Sequence, residues 1–268
     1  MTREEIKNLV IQSIKKHVTD LDNGLTTNIQ MGRFYNELEQ KVTISQMPQN
    51  QVIEHYQVIR EVIQELINNN MIFPGTAGNH GSTYPWLTVT EYGKKCLRED
   101  NELPYDPEGY IQALQQQIPD LDEVTLAYVS EAITSYNKRC LLASIITLGV
   151  ASENLILNLI DSFALSIQDT TKKQAFLKKI QDKNITKKYK VFIDEINQYR
   201  NALPTKMRTD ITTILDGTFN LIRINRNDAG HPTERRFNEK IVYANLQIFA
   251  EYAKFIHSLM SHLNANPL

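Results

Sequence analysis

Leu141-Leu-Ala-Ser-Ile-Ile-Thr-Leu-Gly-Val-Ala151 is the longest apolar run of the chain, and Glu153 and Asn154 follow it almost at once. A membrane-spanning helix needs about 20 consecutive apolar residues, so this run is too short and reads as a buried helix. Carried outward to Lys138–Ile167, the segment is apolar nearly all round, which is the pattern of the central helix of a bundle. On the N-terminal side, Asp120 or Asp122 is placed to cap a helix through Leu126, Val129, Ala132 and Ile133. On the C-terminal side, residues 171–190 are basic and weakly periodic, and Tyr189–Leu203 must end or kink before Pro204. Arg208–Asn227 follows, with Ile211, Ile214, Leu215, Leu221 and Ile222 on one side. Phe237–Leu263 then repeats Ile241, Leu246, Ile248, Phe249, Tyr252, Ile256 and Leu259 at helical spacing. No strand signal appears after Pro119, so the expectation is an antiparallel helix bundle.

The first hundred residues have a different texture. Ile6, Val10, Ile11, Ile14 and Val18 form one helical stripe, a second helix is expected over Ile29–Val42, and a polar connector, Thr43–Asn50, carries Pro48. Gln51–Asn69 repeats Val52, Ile53, Tyr56, Ile59, Val62, Ile63 and Leu66. Met71-Ile-Phe and Trp86-Leu-Thr-Val-Thr read as strands around a Gly-, Asn- and Ser-rich loop, Pro74–Pro85, and a last helix starts near Thr90. This order is that of a winged helix, and Leu87-Thr-Val-Thr-Glu-Tyr-Gly-Lys-Lys-Cys-Leu resembles the wing-to-helix segment of bacterial winged-helix regulators. Arg98–Pro107, acidic and twice interrupted by proline, is the expected linker. The chain is therefore expected to be mainly α, with a winged-helix domain over residues 1–103 and a helical bundle over 104–268.

Composition narrows the partners. A formal charge of -2 over 268 residues gives no global attraction to nucleic acid, so any such binding must come from a local patch. Cys96 and Cys140 lie far apart, with neither metal nor redox spacing, and the polar opening Met1-Thr-Arg-Glu-Glu leads to the expectation of no signal peptide. A cytoplasmic protein with no metal, cofactor or membrane association is expected.

The segment that carries chemistry is Arg226-Asn-Asp-Ala-Gly-His-Pro232. Arginine supplies a permanent planar charge and histidine titrates near neutrality, the two properties needed to hold a phosphate and move a proton. In an unbroken helix Arg226 and His231 would stand about 140° apart. A left-handed turn at Gly230, with Pro232 beyond it, would end the helix between them and swing His231 back. The plainer alternative is that Arg226 caps its helix and pairs with Asp228, while His231 bonds between helices.

The arrangement resembles the HEPN domain (higher eukaryotes and prokaryotes nucleotide-binding), marked by an arginine, four to six residues and a histidine late in an all-helical bundle. Tyr136–Leu155 is similar to the long central helix of that family, with Glu153 at its acidic position. The resemblance implies a metal-independent endoribonuclease acting as a homodimer across a shared cleft, with a role in antiviral defence or as a toxin. It implies that His231 moves the proton at the 2′-hydroxyl or the leaving oxygen, that Arg226 holds the scissile phosphate, and that Asn227 positions one or the other. Glu153 would support an arginine such as Arg223 or Arg226, and Asp228 is a further supporting residue.

Lys178, Lys179, Lys187 and Lys188, in the densest basic segment, are candidates to contact RNA, though a charge run also serves as a solvated helix face. In the N-terminal domain, Gln51–Asn69 carries Glu54, Glu61 and Glu65 against Arg60 alone, and the wing region has His80 but no Lys or Arg. Weak or absent DNA binding is expected there, with protein contact or ligand sensing in its place; Arg33 and Lys41 remain the cations a DNA contact would use. Tyr84 and Trp86 read as packing residues. The alternative for the whole chain is a non-catalytic scaffold or regulator that binds DNA, a nucleotide or a partner protein.

Overall fold

The computed structural model describes residues 1–24, 29–41, 47–76, 86–98, 107–232 and 234–268. The expected wing loop with His80 and Tyr84, most of the linker with the 103/104 boundary, and part of the Thr43–Asn50 connector lie outside the described residues. The chain is mainly helical and divides into two compact units, Met1–Pro107 and Glu108–Leu268.

In the first unit, helix α1 (Arg3–Asp22) begins with a reciprocal cap. Glu5 donates its backbone N–H to the Thr2 hydroxyl at 3.2 Å, and the Glu5 carboxylate accepts from the Thr2 N–H at 2.8 Å. Strand β1 (Ile29–Gln30), helix α2 (Met31–Lys41), helix α3 (Gln49–Asn68), strands β2 (Ile72–Pro74) and β3 (Trp86–Val89) and helix α4 (Glu91–Arg98) follow. The three strands form an antiparallel sheet in the order β1-β3-β2, with Ile29 opposite Leu87 and Ile72 opposite Val89. Ile29 and Gln30 were expected inside a helix. Two residues are too few to show an alternation, and the helix itself begins only at Met31. Ile6, Val10, Ile14, Phe34, Leu38, Ile59, Ile63, Leu66 and Leu87 meet in the core, whereas Ile53 is exposed.

The segment after β3 is held by a threonine and a glycine. Thr90 accepts the Gly93 N–H at 2.8 Å and donates to the Met71 carbonyl at 3.1 Å, so it caps α4 and ties it to the strand before. A β-carbon on Gly93 would stand 2.1 Å from that same carbonyl oxygen, and only glycine allows the approach.

In the second unit, helices α5 (Pro107–Gln117), α6 (Glu123–Asn137), α7 (Leu141–Ser166), α8 (Thr170–Ile180) and α9 (Ile185–Ile196) precede a 3-10 stretch, Asn197–Ala202. Helix α10 (Thr205–Asp210) passes through a π-helical stretch, Ile211–Asp216, into α11 (Gly217–Gly230), and α12 (Glu239–Ala265) closes the unit. Helix α7 is the hub, packed against α6, α11 and α12. It is 26 residues long and apolar enough, by length and composition, to cross a membrane. The apolar run at its start is only its first half. Its buried side chains, among them Ile145, Leu148, Leu155, Ile156, Leu159 and Phe163, are covered by the surrounding helices.

The central helix starts later than expected. Tyr136 and Asn137 still belong to α6, and Arg139, at φ 61°, takes a left-handed conformation in the reversal before α7. Asp122 is the cap of α6. Its carboxylate accepts from Thr125 N–H at 2.9 Å and from the side-chain amides of Asn154 and Asn158 on α7 at 2.8 and 3.0 Å, which fixes the two helices in register. The basic segment is two helices, divided at Asp182 (φ 56°), with Asn184 capping the second through the Lys187 N–H. Phe163 of α7 meets Phe176 of α8 and Phe192 of α9 edge-on, with ring centres 5.1 and 5.4 Å apart.

Candidate active site

Helix α11 is positioned by both of its large neighbours. Toward α12, the buried Asn225 amide donates to Asn245 Oδ1 at 2.9 Å, and Asn245 donates to the Ile241 carbonyl at 2.7 Å. Toward α7, Arg226 lies directly on Gly149: a β-carbon there would stand 2.4 Å from Arg226 Cγ and 2.6 Å from its Cβ. Gly149 is therefore the seat of the arginine's stem.

One turn further along α7, Glu153 Oε1 lies 3.8 Å from Arg226 Nε, an ion pair without a hydrogen bond, and the Nε is buried. Arg226 Nη1 donates to Asn227 Oδ1 at 3.2 Å. The Arg226 side chain keeps 36% of its exposure and that of Glu153 keeps 21%. A guanidinium has five N–H donors, so most of this fork remains available to a ligand while its charge is oriented from behind. Beneath Glu153, Tyr252 bonds the Ser152 hydroxyl at 3.1 Å; burial first, and the Glu153 charge after it, hold the phenol protonated.

His231 is the first residue beyond α11. It is exposed and extended (φ -120°, ψ 150°), and its N–H still donates to the Asn227 carbonyl at 3.1 Å. The expected left-handed turn at Gly230 does not occur: the helix runs through Gly230, and the positive-φ glycines among the described residues are Gly24 and Gly75. The reason is that the His231 amide completes an ordinary helical bond, so nothing asks Gly230 to reverse the chain. Arg226 and His231 consequently keep the roughly 140° separation of an uninterrupted helix, and Asn227, one turn before His231, stands between them.

The remaining candidates fall into place around this pair. The carboxylate beside Arg226 is that of Glu153, whereas Asp228 pairs with Arg235 at 2.6 Å, and the Arg235 guanidinium covers the Phe237 ring at 5.2 Å. Lys178 and Lys179 end α8, and Lys187 and Lys188 begin α9. Lys179 is engaged by Glu195, while Lys178 and Lys188 line an open groove with Gln174, Leu177 and Gln181. The aromatic contact that anchors these helices, Phe163, lies ten residues beyond Glu153, about 15 Å along α7. In the first unit, Arg33 is engaged by Glu37 at 3.1 Å and Glu65 by Arg3.

Gly149 escaped the sequence reading, though it had a signal, a glycine one turn before an acid of an apolar helix. Of the two arginines the sequence offered as partners of Glu153, the ion pair is with Arg226 and not with Arg223. No protein-family profile, no curated protein and no solved structure matches the chain.

Proposed function

We propose that the second unit is a HEPN-type, metal-independent endoribonuclease and that the first is a winged helix. The observation that carries the first half is the seating of Arg226: its stem on Gly149, its Nε beside Glu153, its outer donors toward solvent, and an exposed histidine at the end of the same helix. In this reading Arg226 binds the scissile phosphate. His231 takes the proton of the 2′-hydroxyl, whose oxygen attacks phosphorus, and the 5′-oxygen of the next nucleotide leaves and is protonated. The products are a 2′,3′-cyclic phosphate and a 5′-hydroxyl.

The exposed apolar face of α11 favours a second copy of the chain as its partner in this reading. Leu221, Ile224 and Asp228 follow one another at three- and four-residue steps, a single stripe on α11, and His231 follows just beyond its end. Leu221 and Ile224 are 41% and 45% exposed on it. A homodimer closed over that stripe buries both leucine–isoleucine pairs, while each Arg226 stays on the opposite face of α11, against Gly149.

The winged-helix reading rests on the order of elements and on the β1-β3-β2 sheet. The outer face of α3 exposes Glu54, Gln57, Glu61 and Gln64, and Arg60 there donates to Tyr35 at 3.2 Å. That face suits a protein partner better than a DNA groove.

A second reading, a non-catalytic scaffold, is favoured by one feature: in a single chain Arg226 and His231 do not share a helix face. Incubation of RNA with the protein in excess chelator, beside Arg226→Ala and His231→Ala variants, separates the two. The nuclease reading expects cleavage by the wild type and a loss of about 100-fold or more in each variant; the scaffold reading expects RNA equally intact in all three.

A further inference from the structure

Arg223 precedes Arg226 by one helical turn, and side chains so placed are neighbours about 5–6 Å apart on the helix surface. It is half-buried, and its Nε is enclosed without a hydrogen-bond partner. Its hydrogen bond is to a neutral acceptor: Nη2 donates to Asn220 Oδ1 at 3.5 Å. Asn220 is itself oriented from behind, donating to the Asp216 carboxylate at 2.9 Å and to the Asp216 carbonyl at 3.0 Å. The chain Asp216–Asn220–Arg223 therefore runs along one flank of α11 and ends on a guanidinium.

No described carboxylate forms an ion pair with Arg223, whereas Glu153 stands beside Arg226. Two guanidiniums one turn apart repel, and a half-buried, uncompensated charge is costly, so the pair calls for a second anion. A planar fork held by an amide acceptor, rather than neutralised by a carboxylate, is suited to a phosphate. A strand bound through one phosphate at Arg226 offers another phosphate next to it.

We infer that Arg223 is a second phosphate-binding residue, which holds the RNA phosphate adjacent to the one at Arg226. This rests on the ribonuclease reading and assigns that site a substrate class: a single strand bound through at least two consecutive phosphates.

The test is binding of a non-cleavable 2′-O-methyl oligoribonucleotide to the full chain across a range of salt concentrations. Each phosphate contact to a single strand contributes about 0.7 to the slope of log K against log salt. Arg223→Gln is expected to flatten that slope by about 0.7 and to weaken low-salt binding about tenfold. Arg223→Lys, which keeps the charge but not the fork, is expected to keep the slope and bind severalfold more weakly; it also covers the case in which the glutamine variant does not fold. Wild-type affinity in the lysine variant, or wild-type slope in a folded glutamine variant, overturns the inference and leaves the ribonuclease reading standing. Failure of the wild type to bind the oligonucleotide overturns both.

Discussion

Gly149 and Arg226 meet where two helices of the bundle cross, so closely that a methyl group on the glycine would stand 2.4 Å from Arg226 Cγ. Gly149→Ala must push the arginine stem, and with it α11, away from α7; overpacking of this kind costs about 1–3 kcal/mol. We expect a lower unfolding midpoint in urea and a fall in RNA cleavage of at least tenfold. An alanine variant with unchanged stability and activity would show that the contact positions nothing.

Glu153 orients Arg226 but also places a negative charge beside the expected phosphate. Both side chains are partly exposed, so removing the pair changes stability by less than about 1 kcal/mol. Glu153→Gln is expected to bind a non-cleavable RNA more tightly, because the carboxylate no longer competes for the guanidinium, while kcat falls because the fork is less constrained. Measuring Kd and kcat separately checks this split; if both stay at their wild-type values, Glu153 is only a surface partner.

The buried amide pair Asn225–Asn245 holds α11 to α12 at 2.9 Å. Asn225→Ala leaves the Asn245 carbonyl oxygen without this donor inside the protein, at a cost of about 1–3 kcal/mol. Chemical denaturation should show this loss, and Asn225→Leu combined with Asn245→Leu should lose less than the sum of the two single changes.

His17, on α1, is 3% exposed, and burial, then the Arg33 and Lys94 charges, hold its pKa below 6.5 against the opposite pull of Asp20. The unfolded chain takes up a proton near pH 6.5 that the folded unit refuses. The contribution vanishes well above that pH, and stability falls as the pH drops through 6.5 toward the lower folded value. The sole tryptophan, Trp86, lies on β3, so its fluorescence follows this unit in urea. The midpoint should be lower at about pH 5.5 than at about pH 7.5, and His17→Gln should narrow that difference. An undiminished difference in the variant assigns the pH dependence elsewhere.

Periodicity in the sequence carried the mainly helical character and the stripe of α1, because each such side chain faces the core at a regular angle. It misassigned Leu221, Ile248 and Ile53, all exposed. Leu221 and Ile248 are each next to a buried residue, and about 100° of rotation separates neighbours on a helix. The two-residue strand β1 left no pattern to read. The site was legible as residue types, Arg226, Asn227 and His231 in one short segment. Its geometry was not: the helix runs through Gly230 because the His231 N–H donates to the Asn227 carbonyl, a continuation that Gly and Pro in the sequence spoke against. The approach of Arg226 to Gly149 joins residues on different helices and is encoded in no local spacing.

The central claim is that this arginine and histidine cleave RNA by 2′-hydroxyl attack. End-group analysis of RNA incubated with the protein in excess chelator tests it most directly. The account predicts 2′,3′-cyclic phosphate and 5′-hydroxyl ends from the wild type, and neither from Arg226→Ala/His231→Ala. RNA left intact by the wild type, or the same ends at the same rate from the double variant, would contradict it.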